Sequence, residues 1–109
     1  MGMTYKVLGQ SNPAANTPTT LYTVPAATTT VASTINICNL DSTAGNFRIA
    51  VRPAGATITN AHYIAYNTVV PGNDSIAMTI GITLATTDVV TVTANTANIS
   101  FNLFGSEIS

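Results

Sequence analysis

The sequence predicts an all-β fold: a single antiparallel β-sandwich of about seven or eight strands. Three observations carry this reading. Apolar and polar residues alternate with a period of two, most cleanly over Ile76–Leu84, where Ile76, Met78, Ile80, Ile82 and Leu84 share one side. Clusters of Gly, Pro, Asn, Asp and Ser punctuate the chain roughly every ten residues. No segment between them shows the periodicity of a useful length of helix. Immunoglobulin-like and jelly-roll topologies fit this pattern equally, and residues 1–109 read as one domain.

Taken in order, Tyr5–Leu8 forms a short first strand, followed by an irregular polar segment, Gly9–Thr19, with Pro13 and Pro18. That segment is either an arm lying over a neighbour or a loop crossing between sheet edges. Leu21–Val24 is a strand stopped by Pro25, which has no N–H for a ladder. Val31–Cys38 and Phe47–Arg52 form a pair of strands around the turn-rich stretch from Asn39 to Asn46. Val31, Ser33, Ile35 and Ile37 fall on one side of the first, and Phe47, Ile49 and Val51 on one side of the second. The outer side of Phe47–Arg52 carries Arg48 and Arg52, two of the chain's three basic residues. Beyond a turn at Pro53–Ala56, His62–Tyr66 is a strand, and Pro71-Gly72-Asn73-Asp74 a strong turn. Ile76–Leu84 reads as the central core strand, with Ile80 at its middle, where an Asp would abolish folding. Val89–Ala94 and Ile99–Phe104 complete the set.

Charge is the unusual quantity. Only 6% of residues are Asp, Glu, Lys or Arg, against roughly 25% in an ordinary soluble domain. Thr, Asn, Ser and Ala stand in their place. Spread over the surface of an 11.2 kDa domain, these charges leave roughly one per 800 Å², about one partner's footprint in a standard interface. Such a contact can form while burying almost no charge. The composition thus points to a chain packed against other proteins, a homo-oligomer or a larger assembly. A net charge of −1 argues against nucleic acid. No apolar run approaches the ~20 residues of a membrane span, and the first residues lack the apolar stretch of an export signal.

Chemistry has little to work with. There is one His, one Cys and four acids. Asp41, Asp74 and Asp88 sit in turns, where short carboxylates accept from backbone amides. His62 has no partner at metal-ligand spacing, and no phosphate loop or nucleophile elbow is present. The expectation is no catalytic residue, no cofactor and no metal. The candidate contact residues are Arg48, Arg52, Tyr63 and Tyr66. The arginines either grip a neighbour's carboxylate or, for one of them, pair with Glu107. The tyrosines either anchor a contact or lie along an edge strand.

Several segments together resemble short virion structural proteins of tailed bacteriophages, notably those of cyanobacteria and other aquatic bacteria. They are Lys6-Val7-Leu8-Gly9-Gln10, Leu21-Tyr22-Thr23-Val24-Pro25-Ala26, Ile35-Asn36-Ile37-Cys38-Asn39, Phe47-Arg48-Ile49-Ala50-Val51-Arg52-Pro53, His62-Tyr63-Ile64-Ala65-Tyr66 and the stretch Ile99–Ile108. The resemblance implies a small non-enzymatic virion component assembled in the host cytoplasm. Its leading form is a capsid decoration (cement) protein bound to the major capsid protein. A tail, baseplate or fibre-associated protein and a carbohydrate-binding module on a fibre are the alternatives.

Overall fold

A computed structural model describes residues 2–109. Eight strands run in the order β1 (Met3–Ser11), β2 (Thr19–Thr23), β3 (Thr29–Asn39), β4 (Gly45–Arg52), β5 (Tyr63–Val70), β6 (Ser75–Leu84), β7 (Val89–Ala94) and β8 (Ile99–Ile108). Two short 3-10 turns, Pro53–Gly55 and Asn60–His62, separate β4 from β5. The strands form two four-stranded antiparallel sheets, ordered β1-β8-β3-β6 and β2-β7-β4-β5. The architecture is the β-sandwich that the alternation predicts.

The pairing is nested. β4 pairs with β5, β3 with β6, β2 with β7 and β1 with β8. One long antiparallel ribbon is thus rolled so that successive pairs fall in alternate sheets. That is a jelly roll, which resolves the choice that the strand pattern alone leaves open.

The core lies between the sheets. Phe47 of β4 and Phe101 of β8 meet edge-to-face, centroids 6.0 Å apart and planes at 76°. Ile35, Ile37, Ile49, Val92, Ile99 and Leu103 surround them with no solvent exposure. Each such side chain contributes about 1.5–3 kcal/mol through burial. Among the described residues no buried side-chain polar atom lacks a hydrogen bond. No described helix is long and apolar enough to cross a membrane.

Several expectations need correction. Val31–Cys38 and Phe47–Arg52 do cover one core, but from opposite sheets, so β3 and β4 are joined by a crossover rather than paired. The alternation in β3 also changes phase. The pairing slips between Ala32 and Thr34 against both neighbours. This bulge leaves Ser33 exposed and Val31 half-buried, while Thr30, Ala32, Ile35 and Ile37 turn inward. β6 has the expected faces, yet it is an edge strand, and Ile76, Met78, Ile80 and Ile82 are only half-buried.

The irregular segment is shorter than 9–19, because Gly9–Ser11 belong to β1 and Thr19 opens β2. It is a crossing loop, not a free arm. Asn16 N–H donates to Ala94 O at 2.7 Å, and Asn12 Nδ2 donates to Ala97 O and Ile99 O, each at 2.9 Å. His62 lies before β5, closing the 3-10 turn with Nδ1 accepting from Thr59 N–H at 3.1 Å.

Candidate functional site: the Arg48–Tyr66 face

Sequence expectation names Arg48, Arg52, Tyr63 and Tyr66, and the structure brings three of them together. Arg48 points outward from β4 because its neighbours Phe47 and Ile49 point into the core. The partner strand β5 is irregular here. Phe47 pairs with Thr68 and Ile49 with Ala65, so Tyr66 and Asn67 together oppose Arg48. The extra residue is Asn67, at φ 50°, a conformation Asn tolerates better than most side chains. A second slip, from Ile49–Ala65 to Ala50–Tyr63, leaves Ile64 between pairing positions. A regular strand sends residues three apart to opposite faces. The slip instead lets Tyr63 and Tyr66 meet, at 4.9 Å between centroids and 81° between planes.

Arg48 is held from two directions. Its Nε donates to Asn67 Oδ1 at 2.8 Å, and its guanidinium carbon lies 4.2 Å from the Tyr66 ring centroid. A cation over an aromatic face at an exposed site contributes about 0.5–1 kcal/mol. Tyr66 itself remains 55% exposed. Beside this cluster lies a groove of about 160 Å³, bounded by Tyr63, Arg48, Asn46, Thr93, Asn95 and the loop around Asn16. A shallower hollow opens on the other side of Tyr63, between Asn60 and Tyr66.

Arg52 is elsewhere and otherwise employed. Its Nε donates to Ala56 O at 2.7 Å and its Nη2 to Gly55 O at 2.8 Å. It clamps the turn after β4, in which Ala54 and Gly55 both take positive φ. Neither arginine pairs with Glu107. That carboxylate takes Lys6 Nζ at 3.2 Å and the Tyr22 hydroxyl at 2.5 Å. Tyr22 is buried, and its phenol pKa is pushed up to about 12, first by burial and then by the Glu107 hydrogen bond. The Tyr22 hydrogen bond is in turn the main cause that lowers the Glu107 carboxyl, against an opposing effect of burial.

The turn carboxylates serve backbone amides. Asp41 accepts from Ser42 N–H at 2.7 Å and Asp74 from Ser75 N–H at 2.8 Å. Asp88 accepts from Ala54 and Ala85 N–H, each at 2.9 Å, and so ties two turns together. No group of three His, Cys, Asp or Glu at metal-binding distance occurs among the described residues.

One surface escaped the sequence reading. On the outside of the other sheet, Met3, Tyr5 and Val7 of β1 and Phe104 of β8 are exposed, Tyr5 by 81%. Val7 lies opposite Phe104 in the ladder. Tyr5, Val7 and Phe104, with Val31 and Ser33 of β3, border a concavity of about 610 Å³. The signal was the alternation Met3, Tyr5, Val7, which an expected first strand of Tyr5–Leu8 is too short to display.

Neither family models, curated proteins nor solved structures contain a match to this chain.

Proposed function

We propose that this chain is a structural protein of a tailed-phage particle, most specifically a capsid decoration protein that binds a shell subunit through the outer face of β1 and β8. The observation that carries the reading is the uncharged apolar face formed by Met3, Tyr5, Val7 and Phe104. The one charged residue at its concavity, Lys6, is already engaged by Glu107 at 3.2 Å. Interface cores are depleted in charge and enriched in Tyr, Phe and Met, which matches this composition. The wider surface supports it too: 5422 Å² is shared by three basic and four acidic side chains. A shell subunit can therefore seat on this face without stripping water from an unpaired ion. β1 is also an edge strand, whose free backbone groups offer a segment of the shell a place to add.

The jelly roll recurs in viral capsid domains and in lectins, an analogy of fold that agrees with this reading without specifying it. The resemblance of the ordered segments to phage virion proteins supports the particle rather than a free enzyme.

The test is a mass-spectrometric count of this chain in purified virions, paired with the Tyr5→Glu, Phe104→Glu double variant. Hundreds of copies, lost from particles made with a variant that still melts cooperatively, are expected. A few dozen copies or fewer moves the protein to the tail, baseplate or fibre. Absence from purified particles rejects the virion reading.

A further inference from the structure

We infer that the groove between Arg48, Tyr63 and Asn95 binds a single carboxylate-bearing sugar, of the uronic acid class. The site lies on the β4–β5–β7 side of the sandwich, the sheet opposite the apolar β1–β8 face. It goes beyond the particle reading and does not depend on it.

Three observations converge. Arg48 is a cation without a counter-ion. Of the three basic side chains, Lys6 is paired with Glu107 and Arg52 is consumed by backbone carbonyls. Arg48 instead rests on a neutral ring and a neutral carboxamide, and no carboxylate reaches it among the described residues. With Nε taken by Asn67, its Nη1 and Nη2 make no hydrogen bond among the described residues. They present two parallel N–H groups, the geometry that grips a carboxylate by both oxygens.

The second observation is the lining. Asn16, Asn46 and Asn95 border the groove together with Thr93. The Asn95 carboxamide spends its oxygen on Asn46 N–H at 3.0 Å and keeps its amine free. The side-chain amides of Asn16 and Asn46 have no partner among the described residues. A carboxamide offers a donor and an acceptor a short distance apart, which matches neighbouring hydroxyls on a sugar ring. The Tyr63 ring supplies the wall on which the apolar C–H face of a sugar rests.

The third is size and build. The groove's volume of about 160 Å³ gives room for one sugar ring and its carboxylate. The cation is also pre-positioned: the bulge at Asn67 fixes Arg48 before any ligand arrives. Asn67 is thus a positioning residue, and Arg48 the residue that touches the ligand.

The experiment titrates the full chain, isotope-labelled, with sodium glucuronate, glucose and acetate, followed by NMR. Saturable shifts confined to Asn16, Asn46, Arg48 and Asn95 are expected for glucuronate, with affinity at least about tenfold above those of glucose and acetate. Arg48→Gln should erase the preference for glucuronate over glucose while the domain still melts cooperatively. Asn67→Gly should weaken glucuronate binding with less effect on glucose. Absence of saturable shifts from the wild-type chain, or shifts elsewhere on the surface, overturns the site. Acetate binding as tightly as glucuronate reduces it to a bare anion contact, and glucose binding as tightly removes the carboxylate; either result overturns the assignment.

Discussion

The Tyr22 hydroxyl donates to Glu107 Oε2 at 2.5 Å, bonding the edge strand β2 of one sheet to β8 of the other. Because the phenol has a single proton, the 2.7 Å contact with Thr30 Oγ1 has Thr30 as the donor. A relay therefore runs from Thr30 through Tyr22 to Glu107, and Lys6 closes it from outside.

This relay should make stability depend on pH at both the alkaline and the acid end. Tyr22 has its pKa raised to about 12 from 10.0. Its contribution to stability is full below the unfolded value and is lost as pH rises through the folded one. Glu107 is lowered, so its contribution is full above the unfolded carboxyl value and lost as pH falls through the depressed native one. Tyr22→Phe should flatten the alkaline limb of a urea-midpoint-against-pH curve and soften the acid limb. At neutral pH it should cost about 1–3 kcal/mol, because Glu107 loses a donor. An unchanged alkaline limb would show that another group controls it.

Core and edge differ in what truncation costs. Phe101→Ala removes one ring of the edge-to-face pair with Phe47 and should cost about 3–5 kcal/mol. Ile80→Ala, on a half-buried edge strand, should cost about 1 kcal/mol. Ile80→Asp should destabilise less than Phe101→Ala, contrary to the core position its alternation suggests. Equilibrium urea unfolding ranks all three.

Glycines separate by what surrounds them. A Cβ on Gly105 would run into the backbone carbonyl of Val31 in the neighbouring strand. Gly105→Ala should therefore loosen β3 from β8 and lower the melting temperature sharply. Gly81, at φ 55° with open space around it, should lose only about 1–2 kcal/mol on change to Ala. Similar melting temperatures for the two variants would contradict this packing.

The two arginines should part company. Arg52→Glu removes the clamp on Gly55 O and Ala56 O and should cost about 1–3 kcal/mol in the isolated domain. Arg48→Glu should stay within about 1 kcal/mol of the parent. A paired reversal at both positions would therefore confound folding with contact, and only the single variants distinguish them in thermal melts.

The faces of β6, the bounds of β7 and the turns around them were legible because each depends on its own few residues. What the period of two cannot reveal is the partner. β3 and β4 both showed an apolar side, and nothing local distinguished a hairpin from a crossover between sheets. The bulges were hidden for the same reason, since Ser33 is extra only relative to β8, and Ile64 and Asn67 only relative to β4. Arg48, Tyr63 and Tyr66 were visible as residues, but their meeting depends on two such slips. The bonds from Arg52 to Gly55 O and Ala56 O were not legible, because the positive φ at Ala54 that shapes that turn is announced by no side chain.

The nested ribbon also bears on how the chain is born. Only β4 and β5 are partners that leave the ribosome one after the other, while β1 must wait for β8. The β4–β5 pair can thus close early in synthesis, whereas the apolar β1–β8 face cannot be completed before β8 is made. A truncated or stalled product would carry that face unfinished, with its first strand bare.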